Sequence, residues 1–352
     1  MFAIEDIRHL LPFVLQPDNI ARLEEHEGRR RVAIGNRKRY PLEQGFVYCD
    51  DVEAVAVAIE EMVTQGAGPW QAAACGLALA AYEADDRGLE ADIALGRLEE
   101  ARLRLVATRP TNTAMARRLE LAIAAAEVAA ASRQPLGPAI ESWLAEARRQ
   151  VYADYISRAR FGAELIADGD GILTMCFAEA AFILALALAQ EAGKHIHVYV
   201  PETRPYLQGA KLTAPSIHEL GIPVTLIGDN MASYLLTEGK IQKYFTAADL
   251  VTLDGHVVNK VGTFQHAIVA AYHGVPYFVF NWGLDVNRPD RASIEIELRD
   301  PAEMKAVKGV PTTHPDIDAL YPAFDITPPH LVAGVITRHG VVSPYDLHRL
   351  VA

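Results

Sequence analysis

Between residues 171 and 280 the sequence alternates short apolar runs with helix-forming stretches, and few architectures accommodate that order. Runs at 171–176, 195–200, Val224–Ile227, 250–253 and 276–280 read as strands, with helices expected near 205–220, 231–238 and Thr263–Tyr272. Strands separated by helices of this length pair in parallel and are covered on both faces, so the segment predicts an α/β domain built on a parallel sheet. In such sheets ligands bind outside the carboxyl ends of the strands. Two residues fall at ends of this kind. Cys176 closes the run Gly171-Ile172-Leu173-Thr174-Met175-Cys176, and Asp249 follows another apolar segment about seventy residues later. A thiol and a carboxylate facing one crevice can move protons. The plainer reading of Cys176 is a small buried hydrophobe, which is what a free cysteine usually is.

The first half has a different texture. Short strands are expected at 31–33 and 45–48, followed by helices at 52–63, 71–84, 89–106 and Thr113–Ala131, all rich in Ala, Leu, Glu and Arg. Residues 132–138 read as a linker, and a charged helix over 139–167 leads into the strand of Cys176. The expected division is therefore a mostly helical domain over 1–136, with short strands at its start, and an α/β domain over 137–352. The 352 residues suffice for two domains with real cores.

Composition narrows the partners. The longest apolar stretch, 180–189, is far too short to span a bilayer, and the start Met1-Phe2-Ala3-Ile4-Glu5-Asp6 lacks a signal peptide's features, so a cytoplasmic protein without a membrane partner is expected. Cys49, Cys75 and Cys176 are widely spaced with no CxxC pair, which predicts reduced thiols. With 33 Lys plus Arg against 45 Asp plus Glu, the net charge of -12 opposes DNA or RNA but leaves room for a small phosphorylated ligand. No Gly-x-Gly-x-x-Gly follows the first strands, and no His/Asp/Glu cluster has ligand spacing. Neither a dinucleotide cofactor nor a metal is expected.

Three further places carry polar groups at element ends. After Val200 the chain reads Pro-Glu-Thr-Arg-Pro-Tyr-Leu-Gln-Gly-Ala-Lys-Leu-Thr through Thr213, which puts Glu202, Thr203, Arg204 and Gln208 at a strand end. A helix-capping loop accounts for Thr203 but not for the density of the others. Asn259 and Lys260 precede a helix start, a position that favours anions because unpaired backbone N–H groups and the helix dipole point outward. Arg109 precedes a proline able to open a helix. Each has an ordinary alternative as a solvated or capping side chain.

Taken together, the stretches 108–112, Thr174-Met175-Cys176, 202–213, 227–232, Ala248-Asp249, 259–263 and 322–328 resemble the methylthioribose-1-phosphate isomerase family, in its order and over roughly residues 50–340. The most specific is Glu-Thr-Arg-Pro-x-x-Gln-Gly-x-Lys-Leu-Thr. That family shares its fold with ribose-1,5-bisphosphate isomerases and regulatory subunits of translation initiation factor 2B. The resemblance implies a helical N-terminal domain, a Rossmann-like C-terminal domain, a homodimer, no cofactor, and Cys176 and Asp249 as the catalytic pair. It implies substrate contacts at Arg109, Gln208, Asn259 and Lys260, and at the loop Gln65, Gly66 and Ala67.

The chain also departs from the family's pattern. Gln65-Gly66-Ala67-Gly68-Pro69 stands where Arg-Gly-Ala-Pro is usual, so an amide replaces a bidentate, permanently charged donor. Phe177, Ala178 and Glu179 follow the cysteine in place of Asn and Ala-Gly, and Leu250 replaces an Arg beside the carboxylate. The expected function is an aldose-ketose isomerase converting a pentose-type sugar 1-phosphate to the ketose 1-phosphate. Methylthioribose 1-phosphate, 5-deoxyribose 1-phosphate and ribose 1,5-bisphosphate are the candidate substrates. The alternative is a non-catalytic sugar-phosphate sensor resembling the initiation-factor subunits.

Overall fold

A computed structural model of the chain describes residues 2–109 and 113–351. It divides into two units, Met1–His9 with Phe13–Ala153 and Leu10–Pro12 with Asp154–Ala352. The division falls inside a helix, whereas residues 132–138, read as a linker, form the turn into that helix and its first residues.

In the first unit a short helix α1 (Pro17–Ile20) leads into an antiparallel sheet of β1 (Ala21–His26), β2 (Arg29–Gly35) and β3 (Phe46–Cys49), with Ala21 opposite Ile34 and Val32 opposite Cys49. Helix α2 (Val52–Glu60) starts where the Asp51 carboxylate accepts from the Ala54 N–H at 2.7 Å. Helix α3 (Gly68–Asp86) has a proline in its first turn and is buried on nearly every side, its run Gln-Ala-Ala-Ala-Cys-Gly allowing neighbours to approach closely. Helices α4 (Ala91–Ala107), α5 (Thr113–Ala131) and α6 (Leu136–Leu165) follow, α6 ending in the second unit. Pro110, Thr111 and Asn112, part of the stretch around Arg109, lie outside the described residues.

The second unit is organised by a seven-stranded sheet in the order β15-β14-β10-β7-β4-β5-β6. Its strands are β4 (Gly171–Leu173), β5 (His197–Pro201), β6 (Val224–Ile227), β7 (Lys243–Ala247), β10 (Tyr277–Phe280), β14 (Gly334–Thr337) and β15 (Gly340–Val342). All neighbours pair in parallel except β14 with β15. The connecting helices are α7 (Glu179–Glu191), α8 (Ala214–Glu219), α9 (Ala232–Thr237) and α10 (Thr263–Tyr272). Helix α7 buries every residue from Glu179 to Ala187, with Phe182 against Phe245 and Phe280 of the sheet. The other face is filled by Leu173, Leu235, Tyr244, Ala267 and Val335, and Tyr244 and Tyr277 stack at 4.3 Å.

The parallel α/β expectation is met, with one strand misplaced. Residues 250–253 are not part of the parallel sheet. The strand is β7, Lys-Tyr-Phe-Thr-Ala, whose lysine and aromatics read poorly as an apolar run although Tyr, Phe and Thr are strong strand formers. Leu250 and Val251 instead form β8 (Leu250–Val251), paired antiparallel with β9 (Val257–Lys260), which pairs with β13 (Phe324–Thr327). A ribbon of β11 (Ala306–Val307) and β12 (Val310–Pro311) lies between β10 and β13 in sequence. Among the described residues no helix is long and apolar enough to cross a membrane.

Candidate active site

The sheet order fixes where a ligand binds in the second unit. From β4 the chain steps outward through β5 and β6, then returns to β7 on the opposite side of β4. The β4/β7 boundary is therefore the point where strand order reverses, and a crevice opens at the carboxyl ends of such a pair. Cys176 stands just beyond β4 and Asp249 just beyond β7.

Cys176 is held in an unusual backbone conformation. Its φ is +62°, and Thr203 and Leu207 on the facing loop are at +65° and +67°. Left-handed conformations of this kind cost non-glycine residues on the order of 1–3 kcal/mol and persist where surroundings over-determine them. The surroundings are visible. The Cys176 N–H donates to Thr203 Oγ1 at 3.2 Å, and Thr213 Oγ1 donates to the Cys176 carbonyl at 2.5 Å. Thr203 is pinned by the Asp229 carboxylate at the end of β6, which accepts from the N–H groups of Thr203 (2.6 Å) and Arg204 (2.7 Å). His266 Nε2 lies 2.8 Å from the Asp229 carbonyl, closing the chain of contacts onto α10. Gly209 lets the 202–213 loop fold this tightly, since a Cβ there would lie 1.8 Å from the Pro201 carbonyl oxygen.

Asp249 is tied to the small sheet through its N–H, which donates to the Val258 carbonyl at 2.9 Å. The same strand, β9, carries Asn259 and Lys260, both buried. Asn259 Nδ2 donates to Thr263 Oγ1 (3.0 Å), which donates to the Lys260 carbonyl (2.7 Å). Lys260 Nζ sits 5.0 Å from the Phe324 ring and 5.7 Å from that of Tyr321, and the Arg299 guanidinium lies 6.0 Å from each. Gly262, at φ +104°, makes the turn into α10, whose first N–H groups are taken by the Asp325 carboxylate at 2.7 Å from Gly262 and 3.1 Å from Phe264.

The charges set the chemistry. Asp249 is open to solvent along the crevice but crowded by protein at its sides; that crowding pushes its carboxyl up to about 6, against the pull of Lys260 and Arg299. Water in an open crevice softens this shift, and a ligand that displaces the water strengthens it. Burial also pushes the partly buried Cys176 thiol up to about 11, with Lys260 opposing and Asp249 reinforcing. At neutral pH Cys176 is therefore a thiol, suited to hydrogen bonding and proton transfer rather than to attack as a thiolate. Burial pushes the Lys260 ammonium down. The arrangement offers a neutral thiol, a carboxyl able to hold a proton near neutral pH, and a buried cation for an anion.

Five expected site residues, Cys176, Asp249, Gln208, Asn259 and Lys260, thus belong to one unit, and among them Cys176, Asp249 and Lys260 are close enough to act on one another's charges. Gln208 is buried at the start of the π-helical turn Gly209–Thr213. Arg109 and the Gln65–Ala67 loop belong to the other unit and lie near each other there. Arg109 Nη2 donates to the Ile59 carbonyl at 2.9 Å and contacts Met62 Sδ, just before the loop. Arg37 fixes the loop by donating to the Gln65 carbonyl (2.6 Å), and Gly66 turns it at φ +59°. Sequence reasoning gave no role to Asp229, Thr213 or Arg299. Asp229 had a readable signal, an Asx residue directly after a strand, whereas Arg299 lies in a stretch without periodicity.

The sequence profile of the Initiation factor 2 subunit family matches residues 64–344. The methylthioribose-1-phosphate isomerase of Desulfitobacterium hafniense (strain Y51) is 37% identical over 338 residues, covering 90% of this chain and 95% of that protein. The enzyme of the same name from Nitratidesulfovibrio vulgaris (strain DP4) is 38% identical over 334 residues, covering 90% and 93%. Among solved structures, 5-methylthioribose 1-phosphate isomerase from Pyrococcus horikoshii OT3 superposes with a TM-score of 0.82 at 29% identity, covering 95% of this chain and 97% of that one. The delta subunit of translation initiation factor eIF-2B from A. fulgidus gives 0.81 at 29%, covering 92% and 96%. These relatives place the chain in the class of α/β sugar-phosphate isomerases. The chain belongs to the Initiation factor 2 subunit family, on the side of its methylthioribose-1-phosphate isomerases.

Proposed function

We propose that the chain converts a pentose-type sugar 1-phosphate, methylthioribose 1-phosphate or a close analogue such as 5-deoxyribose 1-phosphate or ribose 1,5-bisphosphate, to the ketose 1-phosphate. The observation that carries this reading is the placement of Cys176 and Asp249 at the ends of β4 and β7, the switch point of the sheet. A phosphate on the anomeric oxygen locks the ring and withholds the free aldehyde that ordinary sugar isomerases use. The ring oxygen must be protonated before hydrogen moves between C1 and C2. Asp249, with its carboxyl pushed up to about 6, supplies that proton, and the neutral Cys176 thiol assists at C1 and C2. Lys260 and Asn259 hold the phosphate, with Gln208 as a further contact.

The fold alone does not separate enzyme from initiation-factor subunit, since both structural relatives superpose equally well. A sensor needs the pocket but not the pair, and this chain has both. Incubating the protein with methylthioribose, 5-deoxyribose and ribose 1-phosphates and with ribose 1,5-bisphosphate, and following ketose formation by NMR, tests the proposal. Conversion of at least one is expected; tight binding without conversion of any supports a sensor instead. The family resemblance also implies a homodimer, which light scattering on the purified protein reads directly.

A further inference from the structure

Lys260 shares its aromatic neighbours with a second cation. Its Nζ lies 5.0 Å from the Phe324 ring and 5.7 Å from that of Tyr321, and the Arg299 guanidinium lies 6.0 Å from each. The backbone dictates this meeting. In the register of β9 with β13, Phe324 stands opposite Lys260, and just before β13 the chain pairs with the segment around Arg299. There the Arg299 N–H donates to the Tyr321 carbonyl at 2.9 Å, the Ala323 N–H donates to the Glu297 carbonyl at 2.8 Å, and Leu298 faces Pro322. The stretch beyond Arg299 is fixed from the 202–213 loop, where Arg204 Nη2 donates to the carbonyls of Met304 (3.3 Å) and Ala306 (3.2 Å). Arg299 therefore has a set place beside Lys260.

Two cations side by side repel. Burial pushes the Lys260 ammonium down, and Arg299 adds to that push. The acids nearby compensate only in part. Arg299 Nε donates to Glu297 Oε1 at 3.0 Å, but the Glu297 side chain is 56% exposed, so water screens much of its charge. Asp249 lies within range of both cations, yet it must be protonated to act as the donor, and in that state it offers no charge. Of the guanidinium, only Nε forms a hydrogen bond of good geometry among the described residues. The Tyr321 hydroxyl, its other polar neighbour, is buried without a well-formed partner among them.

A phosphate dianion answers both needs. It neutralises two cations, and its oxygens accept from a guanidinium fork and from a phenol. A neutral sugar hydroxyl would leave the repulsion in place. We propose that Arg299 is a second phosphate-binding residue, donating its terminal N–H groups to the phosphate that Lys260 holds, with the Tyr321 hydroxyl as a further donor. The assignment rests on the isomerase reading and concerns the anion site within it.

Calorimetric affinity for inorganic phosphate and for ribose 1-phosphate is measured on the wild type, Arg299→Met, Arg299→Lys and Glu297→Gln, together with Tm and with turnover on the sugar phosphates named above. Arg299→Met should weaken both affinities at least tenfold, roughly the scale of one hydrogen bond to a charged group. Arg299→Lys keeps the charge but loses the fork, so it should recover part of the loss. Glu297→Gln removes the carboxylate that competes with phosphate for the guanidinium, and affinity should rise roughly twofold or more. A pair that only holds the segment in place predicts otherwise, because breaking it from either side would lower affinity and Tm alike. Affinity that does not fall in Arg299→Met, or does not rise in Glu297→Gln, overturns the assignment and leaves the isomerase standing. Should Arg299→Met fail to fold, Arg299→Lys takes its place, and an affinity equal to that of the wild type overturns the assignment. The expected pattern of affinities without conversion of any sugar phosphate by the wild type overturns the isomerase and keeps the phosphate site. Absence of both binding and conversion overturns both.

Discussion

Cys176 and Asp249 divide the chemistry unequally. Cys176→Ser keeps shape and polarity but substitutes a far less acidic hydroxyl, so ligand affinity should persist while turnover falls by more than tenfold. A variant retaining over about a tenth of wild-type activity would mean that the thiol contributes less than roughly 1.4 kcal/mol to the transition state. For Asp249 the sign of the pH dependence follows from its shift. The carboxyl is raised from 3.8 to about 6, so the folded protein holds this proton more tightly than the unfolded chain. Its stabilising contribution is present below about pH 4 and fades as pH rises through about 6. As the proton donor it must be protonated, so kcat/KM should decline above about pH 6. The decline in kcat should sit higher, because bound substrate expels water from the crevice and brings a phosphate charge. A rate that climbs from pH 5 to 8 with no descending limb removes Asp249 from the donor role.

The supporting elements carry a separate expectation. The 202–213 loop is held against Cys176 by Asp229 and by the absence of a side chain at Gly209. Gly209→Ala places a carbon 1.8 Å from a backbone oxygen that cannot move without unseating β5, so it should destabilise the second unit by on the order of 2–4 kcal/mol in denaturant melts. Asp229→Asn keeps the shape but weakens two charge-assisted bonds, and a loss of about 1–3 kcal/mol is expected with kcat reduced more than affinity. An unchanged kcat would show that the loop is indifferent to the thiol's position. The strand-helix alternation was legible because β4, β6 and β10 are apolar and bounded by turns. Strand β7 was not, because Lys243 and the aromatic residues hide it from apolar periodicity, and the β8–β9–β13 sheet was not, because β8 is only two residues long and β9 pairs with β13 about seventy residues further on. The site was legible as strand-end positions. Its electrostatics were not, since the shifts at Cys176 and Asp249 come first from burial by the elements folded around them, with Lys260 and Arg299 opposing.

At the scale of the whole chain, the family resemblance also names Arg109 and the Gln65–Ala67 loop, in the first unit, as substrate contacts. Arg109 and the Gln65–Ala67 loop are held by the first unit's own packing, Arg109 through the Ile59 carbonyl and Gln65 through Arg37. Arg109→Met should therefore weaken affinity for a sugar 1-phosphate about tenfold or more with a small change in Tm, and Gln65→Arg should strengthen it by restoring a bidentate phosphate donor. Affinity indifferent to both changes would remove Arg109 and Gln65 from the proposed contacts. The most direct test of the central claim is a paired measurement on Asp249→Asn, affinity by calorimetry and turnover at saturation, on a substrate the wild type converts. The amide keeps the shape but cannot exchange a proton, so the variant should bind normally and fail to convert. Turnover at saturation that survives while affinity is lost would contradict the account, making Asp249 a positioning group and leaving the ring-opening proton to another residue.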